Sequence, residues 1–88
     1  MMKSYILNGK KMQTREEAYG YIAQTLEFPG YFGRNLDALY DLLTEREADI
    51  TLRNADDLLN SLGAYGCDMI KCFFDAAQAN ADLAFRIK

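Results

Sequence analysis

Hydrophobic and polar positions fall into blocks along the chain, and three short blocks are typical of β-strands. The run Lys3–Leu7 leans towards β-structure and is closed by the turn signal Asn-Gly-Lys-Lys. A second run, Asp49–Leu52, is a weaker candidate because it begins with an aspartate. The last run, Leu83–Lys88, alternates between apolar and polar residues. The pattern therefore predicts three strands joined by long connections.

The connections carry apolar residues at helical spacing and predict four helices. Thr14 and Glu17 have the spacing of a capping box, which indicates a first helix from about Arg15 to Glu27, ended by Pro29–Gly30. The other helices are predicted from a cap at Asn35 to about Arg46, from a cap at Asn54 to Gly63, and from Cys67 to Ala79. The residues expected to face the core are Ala18, Ile22, Leu26, Leu36, Leu39, Leu43, Ile70, Phe73, Phe74 and Ala77.

The order of elements, β-α-α-β-α-α-β, predicts an α/β fold. Each pair of successive strands is separated by helices, and such long connections imply parallel pairing through right-handed crossovers. We therefore expect a three-stranded parallel sheet packed with about four helices. Repeats, linkers and low-complexity segments are lacking, so residues 1–88 are expected to form a single domain.

The charge of the chain limits what it can bind. Its formal net charge is −3, which argues against direct contact with nucleic acid but leaves a basic protein partner open. The largest basic cluster is the pair Lys10–Lys11, so an anionic membrane surface is not expected either. Histidine is absent, which removes His-activated nucleophiles, His general bases and His metal ligands. No cofactor or metal is expected.

The two cysteines do not suggest a disulfide. Cys67 and Cys72 lie five residues apart in a predicted helix, on different sides of it, and we expect buried or half-buried thiols. The start of the chain does not resemble a signal peptide, and no apolar run approaches membrane-spanning length. A reduced, cytoplasmic protein is the expectation.

The second predicted helix carries two like charges on one face. Asp37 and Asp41 are four residues apart, with Tyr40 beside them and Thr44 on the same side. Like charges at this spacing cost an isolated helix about 0.2–0.5 kcal/mol. The helix dipole offsets the cost for Asp37, in the first turn, but not for Asp41, so helix formation does not account for Asp41.

The loop before this helix carries two aromatic residues, Tyr31 and Phe32. Aromatic residues beside carboxylates are typical of a partner-binding surface. Two interpretations of this helix and loop stay open. They form either an ordinary solvated acidic face, with Phe32 covering the core, or a surface that binds a positively charged partner.

The stretch PGYFGRNLDALYDLLTE, from Pro29 to Glu45, resembles the signature of the barstar family, the intracellular inhibitors of barnase-type ribonucleases. The stretches ILNGKKM and FFDAAQANADLAFRI resemble the first strand and turn and the last helix and strand of that family. The resemblance covers the whole chain and implies the barstar fold.

The resemblance implies a protein that is not an enzyme but inhibits a guanyl-preferring, barnase-type ribonuclease. An acidic helix and the loop before it would enter the basic active site as a phosphate mimic, in the manner of a bacterial immunity protein. The implied partner is a basic, secreted-type ribonuclease, and the free inhibitor is expected to be a monomer. The implied partner-binding residues are Tyr31, Gly33, Asn35, Asp37, Tyr40, Asp41, Thr44 and Asp75. Among them, Asp41 matches the aspartate that occupies the catalytic phosphate site.

The chain departs from the family pattern at several positions. Arg34 stands where an acidic residue is frequent, and both Tyr40 and Arg46 stand where tryptophan is typical. Asp75 replaces the usual glutamate, and the family's paired cysteines are replaced by Leu42 and Ala81.

Two alternatives remain. One is a carboxylate enzyme or a Mg²⁺ site built on Asp37 and Asp41 with help from Asn35, although an exposed helix face offers no pocket that would separate two pKa values. The other keeps the fold but binds a different basic protein or toxin, as a regulator or immunity factor.

Overall fold

The computed structural model describes residues 2–88, and its centre is a three-stranded, all-parallel sheet. The strands are β1 (Lys3–Asn8), β2 (Ala48–Arg53) and β3 (Leu83–Ile87), in the spatial order β1-β2-β3. In the register, Tyr5 pairs with Ile50, which pairs with Phe85. The predicted parallel sheet is confirmed.

Four α-helices connect the strands in the predicted order across the described residues. They are α1 (Arg15–Leu26), α2 (Leu36–Thr44), α3 (Ala55–Leu62) and α4 (Ala64–Ala79), and a short 3₁₀ helix (Gly9–Lys11) follows β1. The second helix is shorter than predicted and the fourth begins earlier, at Ala64 instead of Cys67. No helix within residues 2–88 is long and apolar enough to cross a membrane.

Both crossovers step in the same direction across the sheet, from β1 to β2 and from β2 to β3. Right-handed connections in one direction place their helices on the same face of a sheet. The strand residues divide accordingly: Leu7 of β1 and Ile50 of β2 are fully buried, whereas Ile6, which precedes Leu7 and points to the other face, is 58% exposed. On the opposite face an Arg86 Nη1–Asp49 Oδ1 ion pair of 2.6 Å supplies polar cover.

The core confirms most of the predicted apolar faces. Ala18, Ile22 and Leu26 of α1 are fully buried, and so are Leu39 and Leu43 of α2.

The predicted apolar stripe of α4 is partly wrong. Phe73 is buried, but Phe74 is 43% exposed and packs edge-on against Phe85 at the margin of the core. Because α4 packs against α2, α3 and β3 together, its buried face is rotated towards Met69, Cys72 and Ala76 instead.

Two predicted helix caps had different outcomes. Thr14 Oγ1 accepts a hydrogen bond of 3.1 Å from the Glu17 backbone N–H, so this cap is confirmed. The prediction of a side-chain cap at Asn54 is wrong, because Asn54 adopts the left-handed conformation (φ 56°) and makes no cap hydrogen bond. Its Nδ2 instead donates to Asn8 Oδ1 at 2.8 Å. The connection from β2 to α3 is too tight for an extended cap residue, and it passes so close to Gly9 that a Cβ there would lie 2.1 Å from the Asn54 carbonyl oxygen.

Candidate functional site

The start of α2 is fixed to the preceding loop by Asn35. Its Oδ1 accepts a 2.7 Å hydrogen bond from the Ala38 backbone N–H, and its Nδ2 donates to the Gly33 carbonyl oxygen at 3.2 Å. A Cβ on Gly33 would lie only 3.3 Å from the Ala38 Cβ, so a glycine allows the loop to run against the first turn of the helix. Residues 33–38 are therefore a locally braced unit, and the predicted cap is confirmed.

The buried side of α2 determines where its carboxylates point. Leu39 and Leu43 are fully buried, and this orientation leaves Asp37 and Asp41 exposed. Within residues 2–88 neither carboxylate forms an ion pair, so their negative charge is not neutralised inside the molecule. Thr44 is half-buried, and its hydroxyl donates to the Asp41 carbonyl oxygen at 2.9 Å, which closes the end of the helix.

The two loop aromatics point in opposite directions. Phe32 is 8% exposed and packs edge-on against Tyr19 and Phe28, with ring centroids 5.8 and 5.0 Å away, so its predicted role in the core is confirmed. Tyr31 is 82% exposed, and Tyr40 on α2 is 36% exposed. Core packing thus accounts for Phe32 but not for Tyr31.

Cys72 connects α4 to the start of α2 and locates Asp75. Its thiol is buried and donates a 3.6 Å hydrogen bond to the Leu36 carbonyl oxygen. Burial, and after it the negative charges of Asp75 and Asp37, together raise the pKa of the Cys72 thiol to about 11. Asp37 follows Leu36 directly and Asp75 lies one helical turn beyond Cys72, so this contact brings Asp75 to the same side of the molecule as the start of α2.

The second cysteine does not match its prediction. Cys67 is free, as expected, but it is exposed and not buried or half-buried. It lies on α4 next to buried Gly66, and the rotation of α4 that buries Met69 and Cys72 turns it outward.

Of the two arginines that flank the acidic helix, Arg46 is half-buried and Arg34 is exposed. The Arg46 guanidinium carbon lies 5.3 Å from the centre of the Phe28 ring. Arg34 adopts the left-handed conformation (φ 52°), and its Nη1 lies 3.8 Å from where a Cβ on Gly20 of α1 would stand. Neither cation forms an ion pair with Asp37 or Asp41 in the described part of the chain.

Two shallow grooves beside α2 add Glu45 to the candidate site, a residue that was not predicted from the sequence. A groove of about 280 Å³ lies between the loop and α2, and a second of about 210 Å³ lies towards Phe28. Tyr31, Leu42 and Glu45 line both of them. Glu45 follows Asp41 by four residues, so the spacing that singled out Asp37 and Asp41 could also have found it.

The described residues 2–88 contain no group of three or more Cys, Asp or Glu side chains that could hold a metal ion. The fold and this exposed face are those of a small α/β protein that presents one helix and its preceding loop to solvent.

Comparison with known proteins identifies the family. The family model described as "Barstar (barnase inhibitor)" matches residues 2–88. A protein of Bacillus subtilis (strain 168), named "Putative ribonuclease inhibitor YrdF", is 31% identical over 84 residues, which cover 92% of this chain and 92% of that protein. The chain belongs to the barstar family.

Family membership has direct consequences for the class of activity. Barstar family proteins are inhibitors rather than enzymes, and the family implies a ribonuclease as partner. The predicted family, the predicted fold and the prediction that the protein is not an enzyme are therefore confirmed. A barnase-inhibitor-like role is supported. The roles of the individual site residues stay predictions.

Proposed function

We propose that this protein inhibits a barnase-type, guanyl-preferring ribonuclease by inserting α2 and the preceding loop into the enzyme's basic active site. The observation that carries the proposal is the exposure of Asp37 and Asp41, which form no ion pair within residues 2–88, on a helix whose Leu39 and Leu43 are fully buried. An enzyme that cleaves RNA must bind phosphates, so its cleft presents cations. Two carboxylates on a rigid helix can occupy the positions of those phosphates.

The energetics favour Asp41 as the central contact. A carboxylate that enters a desolvated site among arginines gains strong, charge-assisted hydrogen bonds. Asp41 lies one turn beyond Asp37, in the middle of the exposed face, and Tyr31 and Tyr40 can pack around the two charges and exclude water. Asp75 would reach a more peripheral cation of the enzyme, because it lies on α4, one turn beyond the Cys72 thiol that is bonded to the start of α2.

Gly33, Asn35 and Thr44 have a second role in this proposal. Their hydrogen bonds and close contacts fix the loop and both ends of α2. They would therefore hold the exposed side of α2 in position for binding, in addition to contacting the enzyme themselves. A preformed face lowers the entropic cost of association.

The test is an RNA-cleavage assay with barnase, in which the inhibition constants of the wild type and of three variants are compared. Asp41→Ala leaves cations of the enzyme without a negatively charged partner in a buried interface. We therefore expect inhibition to weaken by roughly a hundredfold or more. Asp37→Ala should weaken it by about tenfold. Asp56→Ala removes an exposed aspartate of α3 and serves as the matched charge control, with inhibition near that of the wild type.

Circular dichroism should show the same fold for all four proteins. An unchanged inhibition constant for Asp41→Ala would show that the phosphate-mimic assignment is wrong. If the wild type does not inhibit barnase at all, the proposed enzyme class is wrong, and a pull-down that recovers a basic protein other than a ribonuclease would support the interaction-module alternative.

A further inference from the structure

A pair of tyrosine side chains connects α4 to α1 and, through Phe32, to the loop before α2. Tyr19 of α1 is 2% exposed, and its hydroxyl is hydrogen-bonded to the hydroxyl of Tyr65, the second residue of α4. The two rings meet edge-on, with their centroids 6.3 Å apart. The Tyr19 ring also packs edge-on against the Phe32 ring, at a centroid distance of 5.8 Å. Tyr19 therefore contacts both α4 and the loop.

Tyr65 is held in place on two sides. The guanidinium carbon of Arg15 lies 3.9 Å from the centre of the Tyr65 ring, which is a close cation–π contact. The first turn of α4 lies against α3, because a Cβ on Gly66 would be only 3.2 Å from the Leu58 carbonyl oxygen. These contacts fix the position from which the Tyr65 hydroxyl reaches Tyr19.

The hydrogen bond between the two hydroxyl groups orients the Tyr19 ring. Burial, and after it the hydrogen bond with Tyr65, raises the pKa of Tyr19, so this phenol stays protonated in neutral solution. A buried hydroxyl needs a partner, and a hydrogen bond has a preferred direction, which apolar packing lacks. The pair therefore fixes the angle of the ring against which Phe32 packs.

The loop offers Tyr31 little support other than its neighbour Phe32. The Phe32 backbone N–H donates to the Pro29 carbonyl oxygen at 3.1 Å, so Tyr31 lies inside a four-residue turn that is closed at Phe32. Within residues 2–88 the Tyr31 side chain makes no hydrogen bond and no contact with another ring, and it is 82% exposed. The direction in which Tyr31 projects thus depends on where the Phe32 ring is held.

We propose that Tyr65 is a positioning residue for the loop before α2, and that it acts through Tyr19 and Phe32 to hold Tyr31 in the orientation that binds the ribonuclease. The inference rests on the proposed function and adds to it a determinant on α4 that does not touch the enzyme. A loop that is already ordered in the free protein loses less conformational entropy on binding. Loss of the hydroxyl pair therefore weakens the complex without removing a contact with the enzyme.

The test compares dissociation constants for barnase, measured by direct binding, with free energies of unfolding measured in urea. Tyr65→Phe keeps the ring beside Arg15 but leaves the buried Tyr19 hydroxyl without its partner. The double variant Tyr19→Phe/Tyr65→Phe removes both hydroxyls, and removal of both partners is far less costly than removal of one.

Tyr21→Phe is the matched control. The Tyr21 hydroxyl, on the same helix as Tyr19, accepts a 3.0 Å hydrogen bond from the Asn8 backbone N–H at the end of β1. This variant therefore also loses one hydrogen-bonded phenol of α1, but it does so away from the loop. Circular dichroism should show the same fold for every variant.

We expect Tyr65→Phe to weaken the binding of barnase by about three- to tenfold. The double variant should recover part of this loss. Tyr21→Phe should be destabilised to a similar extent and still bind barnase like the wild type. In a Tyr31→Ala background, Tyr65→Phe should have no further effect on binding, because it acts through Tyr31.

The outcomes separate this inference from the proposed function. If Tyr65→Phe is destabilised but binds barnase as tightly as the wild type, Tyr65 only stabilises the fold, so the inference is wrong and the proposed function still stands. An equal loss of binding with and without Tyr31 would also overturn the inference, because Tyr65 would then act by another route. If Tyr65→Phe does not fold, the same comparison is made with the double variant. If the wild type fails to bind barnase, both the proposed function and this inference are wrong.

Discussion

The guanidinium carbon of Arg46 lies 5.3 Å from the centre of the Phe28 ring, at the edge of the acidic helix. Phe28 is itself held by an edge-on contact with buried Phe32, at a centroid distance of 5.0 Å. The cation therefore lies over an aromatic ring of the loop, Phe28, and forms no ion pair with Asp37 or Asp41 in the described residues. This contact explains how a chain with an arginine at a position where the family favours tryptophan can keep the exposed face of α2 negative.

The first prediction concerns Arg46→Ala. Loss of the cation–π contact should lower the free energy of unfolding by about 0.5–1 kcal/mol, which urea denaturation can measure. Inhibition of barnase should be unchanged or tighter, because a positive charge beside the carboxylates of α2 is removed. Arg53→Ala, at the exposed end of β2, removes the same charge far from the helix and is the control. A clear loss of inhibition in Arg46→Ala alone would show that Arg46 contacts the enzyme directly.

The second prediction concerns the pH dependence of stability. The Cys72 thiol has a pKa of about 11 in the folded protein against 9.0 ordinarily, first because it is buried and then because Asp75 and Asp37 are near it. Between these values the unfolded chain loses the thiol proton while the folded protein keeps it. The stabilisation that comes from the neutral thiol is therefore complete below pH 9 and is lost as the pH rises towards 11.

The measurement is urea unfolding of the wild type and of Cys72→Ala at pH 8 and pH 10.5. Cys72→Ala should be the less stable protein at pH 8, and the difference should shrink by about 1–2 kcal/mol at pH 10.5. Tyr19 is buried, and its pKa is also raised by burial and by Tyr65. Because Tyr19 is present in both proteins, its main contribution to the pH dependence of stability cancels in the comparison. A difference that stays constant with pH would mean that the Cys72 thiol is not shielded from solvent in the folded state.

Patterns in the sequence predicted the helices and strands because each pattern depends on residues that are close together in the chain. The capping box at Thr14, the cap at Asn35 and the four-residue spacing of Leu39 and Leu43 each act within one or two turns of a helix. The parallel sheet followed from the order of elements, since long helical connections leave parallel pairing as the simple solution. The outward orientation of Asp37 and Asp41 followed from the same leucines.

The features that were missed depend on contacts between distant parts of the chain. The rotation of α4 is set by simultaneous packing on two helices and a strand, so its own periodicity could not show that Phe74 is partly exposed. The position of the Arg46 guanidinium group depends on Phe28, which belongs to the loop that follows α1. Glu45 was missed for another reason, because a groove lining is visible only once the loop and α2 are packed together.

The third prediction concerns Gly9, which follows β1 and lies against the connection from β2 to α3. A Cβ at this position would lie 2.1 Å from the carbonyl oxygen and 2.9 Å from the carbonyl carbon of Asn54, and both are backbone atoms that cannot rotate away. Gly9→Ala must therefore push two chain segments apart, and we expect a loss of about 1–3 kcal/mol or more in the free energy of unfolding, measured in urea.

Gly30→Ala is the control for this prediction, because nothing lies within 4 Å of a Cβ there. That variant should be as stable as the wild type or slightly more so, since alanine reduces the entropy of the unfolded chain. Equal stability of Gly9→Ala and Gly30→Ala would contradict the close approach of the two connections. If Gly9→Ala is destabilised as expected, the variant should still inhibit barnase under conditions where it remains folded, because the altered contact lies at the Asn8–Asn54 junction and not in α2 or its loop.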